Sequence, residues 1–514
     1  MLEYITTLCI SASIYLYWKS NKEQDTLPPR APGYLPIIGH LAQVMKPVPI
    51  HQMFHQWSQQ VGPIFTCYFG TQRWIVLNSI DTIKDLIVER GTIYSSRKLP
   101  DTLVHDFMQG DEGGGFAFFP YGASWRKLRR IAHGGLVKSK IDVYQPILND
   151  RRTVFLSHLY QLSQEKHNVT QGSSLSQFIE HYTMTSILAI AYGDMCNFEP
   201  GDASLHKAFT ITERAASTMG PSDQIREFYP IIKTLWPLKK DKYLKVRYDS
   251  IEFYGGLFQQ FQAKMLQGKD QVQDCFVKDI VEQNELTELQ IINFISIFVG
   301  AGSDTTTSTI EWLIAFLANN PDMQDKAFEE IEDSVGLDRL PGSEDESRLP
   351  YIQCLILETL RMRPPAPIAI PHSTSKDDVY KGWFIPKDTI IVMNLYAVHS
   401  DPLRFPEPHV FKPERHMDYV EASSSKQTFS QSVEDRPHLS FSTGRRVCVG
   451  IHLAERSLFM AVSMLMACFK IERVSDDLVD VDTPRDIRAP TWTPCHYKVR
   501  IVPRHENVQT FFLT

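Results

Sequence analysis

At 514 residues, 43% hydrophobic and 22% charged, the chain is long and apolar enough to bury a large core, which excludes a disordered polypeptide. A formal net charge of -7 excludes the basic footprint of a nucleic-acid binder. The 8 cysteines lie far apart with no C-x-x-C pair, which excludes a disulfide framework or zinc cluster and fits reduced thiols in a cytosol-facing protein.

Tyr4 to Trp18 is uncharged and largely apolar, and Lys19 and Lys22 follow it. Residues 1–20 therefore read as a membrane anchor. The run is shorter than the roughly 20 residues that cross ~30 Å of hydrocarbon, so a cleaved signal peptide is the competing reading. Against it, there is no basic leading region and no small-residue cleavage site, and the flanking lysines keep the body cytosolic. Residues 21–40 form a polar, then proline-rich hinge, where Pro28, Pro29, Pro32 and Pro36 favour stiff, extended backbone. No linker or repeat divides residues 41–514, which read as one catalytic unit.

Ile64 to Phe69 and Trp74 to Leu77 carry strand patterning, and helix-patterned sequence then dominates to about residue 363. Within it, Trp125 and Arg129 stand at i and i+4, on one helix face. Asn168-Val169-Thr170 matches a glycosylation sequon but is expected to stay unmodified on the cytosolic side. Trp236 to Arg247 interleaves aromatic, aliphatic and basic residues, either to rest on a membrane surface or as a solvated basic face.

Leu289 to Leu317 is an apolar helix pattern containing Phe298-Val299-Gly300-Ala301-Gly302-Ser303-Asp304-Thr305-Thr306. Two glycines inside a helix cost about 1 kcal/mol each relative to alanine, and close approach to a ligand is the predicted reason. Asp304 and Thr305 are an acid and an alcohol suited to proton transfer; their position inside a continuous apolar helix argues against a helix cap.

Glu358-Thr359-Leu360-Arg361 puts a carboxylate and a guanidinium on one helix face before the Pro364-Pro365 break. By itself such a pair is most often an ordinary surface ion pair. Ile368 to Leu395 turns extended, with strands expected at Trp383-Phe384-Ile385-Pro386 and Thr389-Ile390-Ile391-Val392, and His372 follows Pro371. Phe411-Lys412-Pro413-Glu414-Arg415-His416 comes next, then Glu421 to Asp435, expected as an exposed loop, and a closing strand at Tyr497 to Val502.

Phe441-Ser442-Thr443-Gly444-Arg445-Arg446-Val447-Cys448-Val449-Gly450 reads F-x-x-G-x-R-x-C-x-G. A thiolate ligand must be kept deprotonated and shielded. Gly444 and Gly450 allow backbone N–H groups to approach the sulfur, and Phe441 limits water. Arg446 offers a planar cation to a carboxylate. The helical spacing after Cys448 places the sulfur at a helix N-terminus, whose dipole favours negative charge.

The decapeptide resembles the haem-binding loop of the cytochrome P-450 superfamily, and the other elements occur in that family's order. The resemblance runs from about residue 28 to 503 and is closest in style to fungal microsomal members. It implies a mainly α fold with a smaller β region, a triangular helix-rich haem domain behind an anchor helix. Cys448 then ligates the iron of haem b, with Phe441, Arg446, Gly450 and Ala301 around the cofactor. Trp125, Arg129 and His372 become propionate ligands. Glu358, Arg361 and Arg415 become a buried structural triad; His416 stands where Phe is commoner, with little consequence expected. Asp304 and Thr305 become the pair that relays protons with waters.

The implied reaction inserts one atom of O2 into a C–H bond and reduces the other to water. With no flavin domain or G-x-G-x-x-G after a strand, electrons are expected from a membrane-bound NADPH-cytochrome P-450 reductase, with cytochrome b5 as a further candidate, docking near Arg126, Lys127 and Arg130. Phe116, Phe118, Phe119, Phe298, Ile368 to Ile370 and Pro490 to Trp492 are the pocket candidates for a steroid, terpenoid or other lipophile. Two other readings are a peroxide isomerase or dehydratase without O2 activation, which retention of Asp304 and Thr305 disfavours, and a non-catalytic membrane haem protein.

Overall fold

The computed structural model describes residues 26–100, 102–113, 115–196, 198–218, 227–229, 241–268, 272–424 and 432–513. The main helices are α1 (Ile50–Val61), α2 (Ala123–Leu136), α3 (Gln145–Gln164), α4 (Ser176–Tyr192), α5 (Ala203–Ser217), α6 (Asp241–Gln267), α7 (Glu288–Asn319), α8 (Pro350–Met362) and α9 (Ile451–Cys468). The strands are β1 (Ile64–Phe69), β2 (Gln72–Leu77), β3 (His372–Ser373), β4 (Asp378–Tyr380), β5 (Trp383–Ile385), β6 (Ile390–Met393), β7 (Phe469–Arg473) and β8 (Val499–Pro503). The architecture is mainly α with small sheets, as the patterning predicts.

The 32-residue α7 organises the helical part. It starts at a capping box in which Thr287 Oγ1 accepts from the Gln290 N–H at 3.3 Å and Gln290 Oε1 accepts from the Thr287 N–H at 3.1 Å. Beyond that first turn it is apolar on nearly every side, so it runs through the interior. It packs against α4, where a Cβ on Gly302 would come within 3.0 Å of Ile187 Cδ1. The core continues into α3 and α9: Phe155 stacks on Tyr182 at 4.9 Å, and the Tyr182 hydroxyl donates to the Ser457 carbonyl at 3.3 Å.

The larger sheet has the order β1-β2-β6-β3. Strands β1 and β2 form an antiparallel hairpin, β2 runs parallel to β6 with Leu77 opposite Met393, and His372 of β3 pairs with Ile391. Residues more than 300 apart in sequence thereby meet beside the helices, and this pairing carries the Ile368 to His372 segment to the site. The antiparallel pairs β4-β5 and β7-β8 match the strands expected at Trp383 and at the C-terminal end.

Several expectations need adjustment. The proline-rich stretch is docked on the body: the Ala31 N–H donates to the Thr66 carbonyl at 2.9 Å, and the Thr66 N–H to the Pro29 carbonyl at 2.7 Å. Glu421 to Ser424 is the end of helix Met417–Ser424 and not loop, while residues 425–431 lie outside the described residues. The anchor at Tyr4 to Trp18 lies outside them too, as do residues 236–240 of the basic aromatic stretch, whose remainder opens α6. Among the described residues one helix, α9, is long and apolar enough to cross a membrane, but its window is 78% buried, which marks a core helix. Asn168 of the sequon is 1% exposed and donates to the Ile501 carbonyl at 3.1 Å, so the fold itself withholds it from modification.

Candidate active site

The Cys448 loop is held by its own backbone. The Cys448 N–H donates to the Phe441 carbonyl at 2.8 Å, and Gly450 caps α9, so the sulfur stands just ahead of a helix N-terminus. Gly444 sits at φ +66°, and a Cβ there would meet the Ile87 carbonyl oxygen at 2.6 Å; no other residue fits this corner. The described cysteines are all free, and Cys448 is the exposed one. Protein nevertheless encloses it: burial pushes its thiol up, while the Gly450 N–H and the Arg129 charge pull it down. Exposure combined with enclosure places the sulfur against an internal space and not bulk solvent.

Beside that loop, cationic side chains converge. Arg446 donates from Nε to the Ser95 carbonyl at 2.8 Å and from Nη2 to the Phe119 carbonyl at 2.6 Å, and its guanidinium lies 4.2 Å from the centre of the Trp125 ring. Its Nη1 is buried with no partner. Burial, with the Arg129 charge added, pushes Arg446 down to about 9. His372 donates from Nδ1 to the Tyr94 carbonyl at 2.6 Å, which leaves Nε2 buried and unpaired. Burial and the Arg97 charge hold this imidazole well below its ordinary value.

Arg97 is the residue that sequence reasoning missed. It is buried, donates from Nη1 to the Ile370 and Pro371 carbonyls, and leaves Nε without a partner. Burial, then the neighbouring Arg446, depresses it. Two buried orphan donors on Arg97 and Arg446, with Arg129 close enough to act on Cys448, fit a ligand bearing carboxylates, and the orphan Nε2 of His372 joins them as a donor once such a carboxylate favours the protonated ring. This donor set suits the propionate edge of a haem whose iron faces Cys448.

On the other side α7 borders a cavity of about 430 Å³. Ala301, Asp304 and Thr305 line it, together with Phe118, Ile368, Ile370 and Trp492. The two glycines differ: Gly302 makes room for Ile187 of α4, whereas Gly300 borders the cavity and faces Thr212 of α5. The Thr305 hydroxyl donates to the Ala301 carbonyl at 2.8 Å. Asp304 accepts from the Thr491 hydroxyl; burial raises its carboxyl, and Thr491 and Arg485 oppose that rise.

Three pocket candidates lie elsewhere. Phe116, in the loop before α2, packs on Phe294 at 4.9 Å and Phe298 of α7 on Phe276 at 5.0 Å, both away from the cavity. Phe119 is buried core as well. Of the docking cations, Lys127 and Arg130 are exposed yet engaged by Glu285, through its carbonyl and its carboxylate, both at 2.5 Å.

Glu358 and Arg361 are buried, and Arg415 joins them from a partly exposed position. Arg361 grips Glu358 at 2.7 and 2.8 Å, and Arg415 Nε reaches it at 3.1 Å. His416 is not incidental: its Nε2 stands 2.8 Å from Glu358 Oε2. The cluster ties α8 to the loop, since Arg361 also donates to the His399 carbonyl at 2.7 Å and His399 Nε2 accepts from the Leu439 N–H at 2.8 Å.

A mainly α fold that carries a cysteine loop beside a cationic cradle and an acid-bearing helix on a cavity defines a haem-thiolate class of protein. The chain belongs to the cytochrome P450 family, whose model matches residues 28–491. It is 30% identical to cytochrome P450 monooxygenase 69 of Postia placenta, over 98% of this chain and 95% of that one. It is 27% identical to cytochrome P450 monooxygenase verL of Clonostachys rogersoniana, over 95% and 89%. A zebra fish cytochrome P450 structure with progesterone has a TM-score of 0.72 at 25% identity, covering 89% of this chain and 100% of that one. The same holds for a zebra fish structure with abiraterone, at a TM-score of 0.70. The chain is thus a P450 monooxygenase of fungal type, and membership implies a haem-thiolate cofactor.

Proposed function

We propose that the protein hydroxylates a lipophilic small molecule, a steroid, terpenoid or other secondary metabolite or xenobiotic, with O2 and with electrons from an NADPH reductase. Bound haem supplies the redox chemistry of O2 and the substrate C–H bond. Cys448 is the residue that holds the iron, Phe441 and Gly450 shield and support the sulfur, and Trp125, Arg129, His372 and Arg446, joined by Arg97, hold the propionates. The single observation that carries the reading is the cavity itself: apolar walls at Phe118, Ile368 and Ile370 converge with the acid Asp304 and the alcohol Thr305 of α7. The apolar wall orients the substrate and excludes water, and Asp304 and Thr305 hold and pass protons at the cavity surface. The zebra fish structures are with abiraterone and with progesterone, both lipophilic, in keeping with such an occupant.

Residues 1–20 serve as the endoplasmic reticulum anchor, residues 21–40 as the hinge whose docked part sets the attitude of the body, and residues 41–514 as the catalytic domain facing the cytosol. Reductase, with cytochrome b5 as a further donor, approaches the face carrying Arg126 and Arg445.

The reduced, CO-treated absorption spectrum tests the ligand: a Soret band of the imidazole type would refute Cys448 ligation, and C448H should produce one. Binding-induced spectral shifts across steroids, terpenes and aromatics identify the substrate class. NADPH consumption with reductase is expected, and turnover of a hydroperoxide without it would favour the isomerase reading instead.

A further inference from the structure

We propose that Thr491 is a positioning residue for Asp304, so that the C-terminal segment over 484–493, and not α7 alone, sets the pose of the acid that faces the cavity. This inference rests on the reading of Asp304 as the proton-passing acid. Thr491 Oγ1 donates to Asp304 Oδ2 at 2.5 Å, and both side chains line the cavity. The alcohol next to Asp304 in sequence is otherwise occupied, because Thr305 donates its hydroxyl to the Ala301 carbonyl.

Thr491 is held at a fixed place relative to α7. The next residue's carbonyl, on Trp492, accepts from Ser308 Oγ at 2.7 Å and from Trp312 Nε1 at 2.6 Å, and the Trp492 N–H donates to the Pro365 carbonyl at 2.8 Å. The segment is closed on itself where the Arg485 N–H donates to the Thr493 carbonyl at 2.8 Å. Asp304, Ser308 and Glu311, at i, i+4 and i+7 of α7, thus present one polar stripe to this segment.

The charged groups around Asp304 come from three directions. Arg485 lies on the C-terminal segment, Glu311 on α7 itself and Glu180 on α4. Arg485 is committed to Glu311 at 3.2 Å and reaches Glu180 at 3.9 Å. One guanidinium shared in this way leaves the Thr491 hydroxyl as the close donor on Asp304. A donor to a carboxylate stabilises its charged form, against the burial that raises it. When Asp304 passes its proton into the cavity, the carboxylate formed is the species Thr491 holds, and a proton from solvent restores the acid.

The test uses the full-length holoenzyme and three variants, T491V, T491S and D304N, each first checked for haem content. In the resting enzyme the Asp304 carboxyl is followed by infrared difference spectroscopy across pH and assigned by its loss in D304N. T491V should raise its titration midpoint by about one to two pH units, the size expected for a hydrogen bond to a charged group, and T491S should restore it. The pH dependence of reductase-driven NADPH oxidation, read without added substrate, should move upward with it. An unchanged midpoint in T491V, or equal shifts in T491V and T491S, would overturn the inference. If D304N abolishes the pH-dependent limb while T491V leaves it in place, Thr491 loses its role and Asp304 keeps its own. If D304N leaves that limb unchanged, the reading of Asp304 fails instead.

Discussion

His416 Nε2 stands 2.8 Å from Glu358 Oε2, the oxygen that also accepts from Arg361 Nε at 2.7 Å. Burial alone would push Glu358 up, yet the hydrogen bonds from Arg361 and His416 hold it down at about 2. The carboxylate at the centre of the triad is therefore satisfied by an imidazole as well as by two guanidinium groups.

Replacing that imidazole should be felt. H416F removes one hydrogen bond from a buried carboxylate and is expected to cost about 1.5–3 kcal/mol, while E358A strands Arg361 and should cost about 3–5 kcal/mol. Denaturant unfolding at equal haem loading measures both. H416F equal to the parent protein would mean that Arg361 and Arg415 suffice.

Acid stability should fail in two stages. Burial first, with Arg363 or nearby cations added, pushes His51 and His438 from 6.5 to about 3 in the folded protein. The unfolded chain then binds more protons, so their contribution is complete above pH 6.5 and is lost as pH falls from there toward 3. Glu358, lowered from 4.5 to about 2, adds stability that is lost only as pH falls through that lower window. H438Q should flatten the upper stage by about 1.4 kcal/mol per pH unit. An unaltered slope would mean that His438 is protonated in the folded state.

Removing haem should expose repulsion among Arg97, Arg129 and Arg446. The apo-protein is expected to lose thermal stability and to regain part of it in phosphate or sulfate more than in chloride at equal ionic strength. R97A and R446A should release haem faster while weakening the anion effect in the apo form. Equal responses to all three salts would deny the cluster its role as an anion cradle.

The legible parts of this site were local. The Cys448 decapeptide, the Asp304-Thr305 pair inside an apolar run and the Glu358-Arg361 pair each carry their chemistry within a few residues, so spacing reveals them. Arg97 has no such pattern. It acquires its role only when β3 pairs with β6 and brings the Ile370 and Pro371 carbonyls, with His372, against it. Thr491 stood within a stretch marked as pocket lining, but its bond to Asp304 depends on Trp492 being pinned to α7. Phe298 misled for the same reason: an apolar helix buried on most faces gives no sequence sign of which face meets a cavity and which meets Phe276.

That last ambiguity gives a paired prediction. Phe118 borders the cavity, whereas Phe298 packs edge-on against Phe276 and does not. F118A removes a wall, so bulkier lipophiles should gain in spectral binding relative to small ones, with unfolding free energy changed by no more than about 1 kcal/mol. F298A leaves a gap in half-buried packing and should cost about 2 kcal/mol, below the range for a fully buried phenylalanine, with the order of ligand preference unchanged. Binding spectra and denaturant unfolding on the same two proteins separate the effects. A changed preference order in F298A would move Phe298 back to the cavity wall, and a large destabilisation in F118A would make Phe118 part of the core.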